Sequence, residues 1–193
     1  MLFNPTVSCK DCPSGYSTKN IVRSAYCYSC SPGYFQNETG GQECKQCSTG
    51  TFMSDSESTK GCTSCEAGTY QDEKGKAKCK SCISGKWSKK VQATYGFDCQ
   101  DCQVGKYSAS KGNDFDCNFC PAGTRGKNGV TGGTNMTVCQ ACVKGQYRNG
   151  IDSIATSCRN CPVVSTRCFT GMVRVCVTIP PDGNLANRYG HVA

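Results

Sequence analysis

The stretch CQACVKGQY, residues 139–147, contains two cysteines separated by two residues, then a glycine and an aromatic residue. Residues 99–107, CQDCQVGKY, repeat it almost letter for letter. C-x-x-C pairs occur nine times, and their first cysteines are Cys9, Cys27, Cys44, Cys62, Cys79, Cys99, Cys117, Cys139 and Cys158. A period of about 18 residues predicts one small unit stacked along the chain, with each unit contacting mainly its neighbours.

Two further positions recur with the cysteines. A glycine lies three residues after the second cysteine in all eight units: Gly15, Gly33, Gly50, Gly68, Gly85, Gly105, Gly123 and Gly145. Such a glycine indicates a backbone position with positive φ, or the close approach of another segment. Most units place an aromatic residue two positions later, which we expect to pack on a neighbouring disulfide. Apolar residues show no helical period, so the pattern predicts short strands and almost no helix.

The composition excludes an ordinary hydrophobic core. Leucine, isoleucine, valine and phenylalanine supply only 27 of the 193 residues, whereas cysteine alone supplies 20. So little apolar surface cannot offset a conformational entropy of about 1–2 kcal/mol per residue. The cysteines must therefore supply the crosslinks that hold the chain together, as in other disulfide scaffolds.

Zinc is the alternative use of paired cysteines, because C-x-x-C pairs at this spacing overlap the four-cysteine zinc pattern. Zinc sites use two pairs each, so nine pairs leave one over, and zinc does not explain the recurring glycine. A redox-active pair would need a βαβ context, which is absent. We therefore predict disulfides, no cofactor, and an extracellular or cell-surface location. The start, MLFNPTVSC, is not a secretory signal, and we interpret it as the start of a processed or truncated chain.

The repeated phrases CPSGY (12–16), CSPGYF (30–35), CEAGTY (65–70) and CPAGT (120–124) are each followed by a later C-x-x-C. They resemble the ephrin-receptor-like cysteine-rich repeat and the first half of a tumour necrosis factor receptor cysteine-rich domain. The resemblance covers about four fifths of the chain. It implies that each cysteine before the glycine bonds to the first cysteine of the next pair: Cys12–Cys27, Cys30–Cys44, Cys47–Cys62, Cys65–Cys79, Cys82–Cys99, Cys102–Cys117, Cys120–Cys139 and Cys142–Cys158.

The predicted fold is small, disulfide-rich and mostly irregular with short β-strands. It forms an elongated ladder of about eight cysteine-rich repeats plus a C-terminal β-hairpin cap. Residues 1–8 form an N-terminal extension, 9–161 the tandem repeats, and 162–193 the hairpin and a polar tail. The β-prone stretch MVRVCVTI, 172–179, supplies the hairpin. It is a cap on the repeat stack or, alternatively, an edge that pairs with a neighbouring molecule.

Four cysteines remain outside the implied pairs. We expect Cys161 to bond to Cys168 or Cys176, closing the last unit. Cys9 and the remaining C-terminal cysteine, taken as Cys176, would then lie at opposite ends of the ladder. They are candidates for an intersubunit bond that joins copies head to tail. Alternatively, Cys9 belongs to a unit that this chain lacks.

The formal net charge of +8 is concentrated in part on Lys74, Lys76, Lys78 and Lys80. Alternating lysines on an extended segment point to one face and form a candidate glycan-binding patch. A solvated edge that discourages strand pairing is the alternative. The scattered remaining charge argues against a nucleic-acid partner. The sequons at Asn37 and Asn135 are candidate glycosylation sites in exposed loops.

Catalysis is not expected, because the only histidine is His191, close to the end of the chain, and no catalytic arrangement can be assembled. No apolar run is long enough to span a membrane. The preferred interpretation is an extracellular structural protein, a rod that assembles with copies of itself into a surface filament or coat. The alternative is a receptor or adhesion ectodomain that binds a protein ligand. A zinc-dependent intracellular protein is the third possibility.

Overall fold

The computed structural model of the chain describes residues 10–149 and 156–161. Eight disulfides follow one another along the chain, and their Cα atoms lie 5.5 to 5.8 Å apart, within the usual range. They are the same eight pairs that the family resemblance implies. Each disulfide defines one repeat, and we number the repeats 1 to 8 in chain order: Cys12–Cys27, Cys30–Cys44, Cys47–Cys62, Cys65–Cys79, Cys82–Cys99, Cys102–Cys117, Cys120–Cys139 and Cys142–Cys158.

Each repeat contributes one antiparallel pair of very short strands. The first strand follows the repeat glycine, and the second lies at the next C-x-x-C, so the disulfide clamps the pair beside it. The pairs are β1 (Tyr16–Ser17) with β2 (Tyr28–Ser29), β3 (Tyr34–Phe35) with β4 (Lys45–Gln46), β5 (Thr51–Phe52) with β6 (Thr63–Ser64), β7 (Thr69–Tyr70) with β8 (Lys80–Ser81), β9 (Lys86–Trp87) with β10 (Gln100–Asp101), β11 (Lys106–Tyr107) with β12 (Asn118–Phe119), β13 (Thr124–Gly126) with β14 (Cys139–Ala141), and β15 (Gln146–Tyr147) with β16 (Arg159–Asn160).

Helical structure in the described residues is limited to two 3₁₀ turns, Gly96–Asp98 and Met136–Val138. The expectation of short strands and almost no helix is therefore confirmed. Two-residue strands carry too few backbone hydrogen bonds to be stable alone. The crosslinks and the contacts between repeats must supply the rest of the stability.

Sulfur replaces the usual hydrophobic core. Twelve apolar residues are buried in the described part of the chain, and ten of them are cysteines. The second cysteine of every C-x-x-C that opens a repeat is among them, with at most 3% of its surface exposed. The aromatic residues after the repeat glycines remain half-buried. The disulfides therefore supply most of the buried apolar surface of each repeat, and the packing of the aromatic rings on them stays a prediction.

Polar side chains occupy the other buried position, three residues after the repeat glycine: Gln36, Gln71, Ser88, Ser108 and Arg148. Gln71 shows how such a residue is satisfied, since its Nε2 donates to Lys78 O at 2.7 Å and its Oε1 accepts from Glu73 N at 3.0 Å. One buried side chain thus holds the loop of its own repeat from inside. Every buried side-chain polar atom among the described residues has a partner.

Backbone hydrogen bonds join each repeat to the next. Between repeats 4 and 5, Gly68 N donates to Ser88 O at 2.9 Å and Gln71 N to Ala93 O at 3.0 Å. In return, Gln92 N donates to Cys65 O at 2.7 Å. Equivalent bonds recur between other adjacent repeats, for example from Gly33 N to Met53 O at 2.8 Å. Neighbouring repeats therefore dock through the backbone, which explains why their side chains can differ.

The repeat glycines also bring together repeats that are not adjacent in the chain. All eight have φ between +74° and +90°, the backbone conformation that the repeat predicts. A Cβ at Gly50 would lie closer than 3.0 Å to the carbonyl oxygen of Gln92, two repeats further on. Gly68 meets Gly112 in the same way. The contacts thus extend beyond the immediate neighbours that the period predicts, because the missing side chain lets a second backbone approach.

The chain divides into two compact units. The first contains the described residues up to Cys82, together with Trp87–Gln100 and Gly112–Phe115. The second contains Ile83–Lys86, Asp101–Lys111 and the described residues from Asp116 onward. Within the described ranges, no helix has the length and apolar character needed to cross a membrane.

Candidate interaction surface

Repeats 2 to 4 and repeat 5 present different surfaces. No large apolar side chain between residues 27 and 82 is exposed. In repeat 5, by contrast, Phe97 is 78% exposed, Val91 60% and Tyr95 53%. Isolated exposed apolar residues are common on proteins, but a cluster of aromatic rings indicates contact with a partner. The loop of repeat 5 is therefore the candidate interaction surface.

Four rings gather in this part of the first unit, and we call them the aromatic patch: Tyr70, Trp87, Tyr95 and Phe97. The rings of Tyr95 and Phe97 are stacked, with centroids 4.8 Å apart and planes 10° apart. Phe97 also lines an open cleft with Trp87. On the other side, a Cβ at Gly96 would lie 3.3 Å from Tyr70 Cζ, so the Tyr70 ring packs against the backbone between the stacked pair. The stacked pair of Tyr95 and Phe97 is thus exposed, and the half-buried rings of Tyr70 and Trp87 lie next to the loop that carries it.

Asp98 sets the conformation of the loop that carries the stacked rings. Its side chain is only 11% exposed, and its Oδ2 accepts hydrogen bonds from the backbone N–H groups of Thr94 and Tyr95, each at 3.2 Å. Its Oδ1 accepts from Lys90 Nζ at 2.8 Å. The hydrogen bond from Lys90 and those from the backbone hold the pKa of Asp98 below its usual range. The carboxylate therefore stays charged near neutral pH and keeps its hydrogen bonds to the loop backbone.

The preceding repeat anchors the base of the same loop. Gln92 and Ala93 are bonded to the backbone of repeat 4, as described above, and Ala93 is 1% exposed. Tyr70 and Ala93 also form a parallel bridge. Backbone hydrogen bonds thus attach the loop to repeat 4 at its base, Gln92 and Ala93. The Asp98 carboxylate holds its tip, Thr94 and Tyr95. The exposed rings are held in one arrangement before any partner arrives.

Lysines border the aromatic patch. Lys89 Nζ lies 5.6 Å from the centroid of the Trp87 ring, a cation–π arrangement. No carboxylate pairs with Lys89 among the described residues. Lys90, in contrast, is paired with Asp98. One ammonium group at the edge of the patch is therefore available to a partner.

Of the four lysines predicted to bind glycans, two form ion pairs in the structure and two do not. Lys80 Nζ pairs with Asp72 and Glu73, each at 2.6 Å, and Lys76 pairs with Glu73 at 2.8 Å. Hydrogen bonds from Lys76 and then Lys80 lower the pKa of Glu73 from 4.5 to about 2. The other two, Lys74 and Lys78, are exposed and have no ion-pair partner in the described part of the chain. The basic patch remains a prediction with half of its charge already neutralised.

Both predicted glycosylation sites are exposed. The Oδ1 atom of Asn37 accepts a hydrogen bond from Lys45 Nζ at 2.8 Å. Asn135 precedes the second 3₁₀ turn, and its Oδ1 accepts from Thr137 N at 2.9 Å and from Thr137 Oγ1 at 2.6 Å. Exposure is required for a glycan to be tolerated on the folded chain, and both sites stay predictions.

All seventeen described cysteines are disulfide-bonded, Cys161 included, so none of them is a zinc ligand. No cluster of potential metal ligands occurs within the described ranges. Cys9, Cys168 and Cys176 lie outside the described residues, as does the predicted hairpin at 172–179. The intersubunit bond therefore stays a prediction.

Sequence reasoning did not identify the aromatic patch. Tyr95 and Phe97 stand in a loop with no regular apolar period, so no pattern marked them. One signal was present, because residues 74–97 contain seven lysines and no acidic residue. The same segment holds Trp87, Tyr95 and Phe97, and aromatic residues are enriched at binding surfaces.

The family model described as tyrosine-protein kinase ephrin type A/B receptor-like matches residues 21–61 and 50–99. These two overlapping matches include repeats 2 to 5 and therefore the loop that carries Tyr95 and Phe97. No curated protein matches the chain significantly. The chain is thus similar to ephrin-receptor-like repeats over this segment, and the resemblance to tumour necrosis factor receptor domains stays a prediction.

The eight tandem disulfides and the receptor-like repeats together indicate an extracellular or cell-surface location. Repeats of this kind are not in general enzymatic.

Proposed function

We propose that this chain is part of the extracellular region of a receptor-like or adhesion protein and binds a protein ligand. One observation supports the proposal above the others: repeat 5 holds stacked, exposed aromatic rings on a loop whose backbone is tied at both base and tip. The name of the matching family, which refers to receptors, agrees with it. The disulfide skeleton then serves to position that surface.

The filament favoured by the sequence ranks second. It depends on an intersubunit bond between Cys9 and Cys176, both outside the described residues, and the matching family lends no support to assembly with copies of itself. Glycan binding through Lys74, Lys76, Lys78 and Lys80 is weaker than the sequence suggested, because two of the four are ion-paired. Both remain open to direct tests.

The test of the proposed function uses the 193-residue chain with its disulfides intact, labelled with a fluorophore and added to cells of the organism that encodes it. We expect saturable binding that is lost when the cell surface is treated with protease and retained after glycosidase treatment. Binding that is lost with glycosidase alone would assign a glycan ligand instead. The absence of saturable binding, together with disulfide-linked polymers on non-reducing electrophoresis, would favour the filament.

A further inference from the structure

We infer that the aromatic patch, with Lys89 at its edge, is where an acidic protein ligand docks; this inference rests on the proposed function. The chemistry that would recognise the patch is a protein surface with an apolar side chain beside a carboxylate. The apolar side chain covers the Tyr95–Phe97 pair, and the carboxylate pairs with Lys89. The repeat pattern assigns no role to Lys89, Tyr95 or Phe97.

The rings are suited to anchor a partner. Aromatic side chains contribute large contact areas at low entropic cost, and a few such residues usually carry most of the binding energy. Phe97, 78% exposed, has the most surface to bury, and its stacking on Tyr95 keeps the two faces aligned. The open cleft between Phe97 and Trp87 can accept a side chain from the partner. The patch therefore has the composition of an interface core.

The charge around the rings selects an acidic partner. Residues 74–97 carry seven lysines and no acidic residue. Of the two lysines that border the rings, Lys90 is paired with Asp98, whereas Lys89 has no ion-pair partner within the described ranges. A carboxylate that approaches Lys89 would pair with an ammonium group already placed over the Trp87 ring. Complementary charge of this kind speeds association and rejects basic partners.

A sulfated polysaccharide is less suited to this surface than a protein. Asp72, Glu73 and Asp98 lie among the lysines and are held in the charged form by them. A chain with regularly spaced anionic groups would place some of these against the carboxylates. A protein ligand can instead offer one carboxylate to Lys89 and apolar atoms to the rings.

The rigid support of the loop lowers the cost of binding. Ordering a loop and its side chains on association reduces affinity. Here the Asp98 hydrogen bonds and the backbone bonds to repeat 4 are already formed in the free chain. Two rings stacked on each other also restrict their own rotamers. The surface is therefore preorganised in the sense that favours specific recognition.

The probe for this inference is a phage-displayed library of random peptides, selected on the disulfide-intact chain. Peptides that dominate the selection are synthesised and titrated by fluorescence anisotropy. We expect them to contain aspartate or glutamate near an aromatic or aliphatic residue. Phe97→Ser should weaken the selected peptide by about tenfold or more, as loss of a central contact does. Lys89→Glu should weaken it by about threefold or more, mainly through slower association, because it replaces an attraction at the edge of the patch with a repulsion.

Phe115→Ser supplies the matched control. Phe115 occupies the equivalent position of repeat 6, two residues before the closing cysteine, and is 61% exposed. This variant should bind the peptide as the unchanged chain does. Both phenylalanines are on the surface, so both serine variants should keep the native disulfides, which mass mapping of unreduced peptides verifies.

Three results would overturn the inference: no enriched peptide, enriched peptides without acidic residues, or equal losses for the Phe97 and Phe115 variants. Binding of heparin that disappears in the Lys89 variant would replace the protein ligand with an anionic glycan. The cell-binding experiment separates this site from the proposed function. If Phe97→Ser still binds cells, the function stands and the site is wrong, whereas an unchanged chain that binds nothing contradicts the function itself.

Discussion

Repeats 4 and 5 have the same disulfide-bonded frame but differ in the chemical character of their exposed residues. Their disulfides close loops with sequence separations of 14 and 17, and both place a positive-φ glycine before a two-residue strand. Repeat 4 then holds its loop with the buried Gln71 and exposes charged residues. Repeat 5 has the shorter Ser88 at that position, ties its loop with Asp98 and exposes aromatic rings. The loops can therefore change character while the crosslinked frame stays the same.

The physical reason lies in where each repeat obtains its stability. Disulfides, a glycine backbone and inter-repeat hydrogen bonds depend little on the side chains of the loop. The loop needs only one internal group that satisfies its backbone, whether the amide of Gln71 or the carboxylate of Asp98. The remaining loop side chains are free to face a partner. Four measurements test this separation of frame and surface.

Removal of a disulfide should have the largest effect, and an equal one in both repeats. The double variants Cys65→Ala/Cys79→Ala and Cys82→Ala/Cys99→Ala should each lower the free energy of unfolding by about 3 kcal/mol, because the entropy of loop closure depends only weakly on length. Denaturation in guanidinium chloride measures the loss. A cost below about 1 kcal/mol in either repeat would show that its frame does not depend on the crosslink.

The next effect tests the contact between repeats 3 and 5. Gly50→Ala should lower the free energy of unfolding by about 2–3 kcal/mol, because it combines left-handed strain of about 1–2 kcal/mol with a clash against Gln92 O. Gly129→Ala is the control, since Gly129 has φ +72° but nothing within 4 Å of its Cβ position. Gly129→Ala should lower the free energy of unfolding only by the cost of the left-handed strain. Equal losses in urea denaturation would mean that the close approach is not needed.

The contribution of the buried Gln71 side chain to the stability of repeat 4 can be tested by itself. Gln71→Ala leaves the Lys78 carbonyl and the Glu73 N–H without their partner, which should destabilise the chain by about 1–3 kcal/mol. The exposed Gln46, changed in the same way, should cost less than about 0.5 kcal/mol. Thermal unfolding distinguishes the two. A harmless Gln71→Ala variant would contradict the role of this side chain in holding the loop.

The smallest effect concerns the ion pairs of repeat 4. Because Lys76 and Lys80 lower the pKa of Glu73 from 4.5 to about 2, its contribution to stability is complete above pH 4.5 and is lost as the pH falls toward 2. An NMR titration of the Glu73 side chain should show the low midpoint. Lys76→Gln should raise that midpoint toward the usual value. A midpoint near 4.5 in the unchanged chain would show that the ion pairs do not form in solution.

Most features of the fold could be predicted from the sequence, because the residues that determine them lie close together in the chain. A fixed cysteine spacing, a glycine at one offset and the lack of an apolar period indicated tandem disulfides, short strands and almost no helix. The family resemblance implied the eight disulfides from Cys12–Cys27 to Cys142–Cys158. None of these inferences required knowing which loop lies beside which.

The sequence by itself therefore determined the frame, since crosslinks and a positive-φ glycine follow from residue type and spacing. Only the tertiary structure decided that Gln71 is buried, that Gly50 approaches Gln92, and that the rings of Tyr95 and Phe97 stack on each other. The reason is that burial and ring contacts depend on how successive loops approach one another. In this chain the approach is set by backbone hydrogen bonds between repeats; the recurring glycine marks where another segment approaches but not which one.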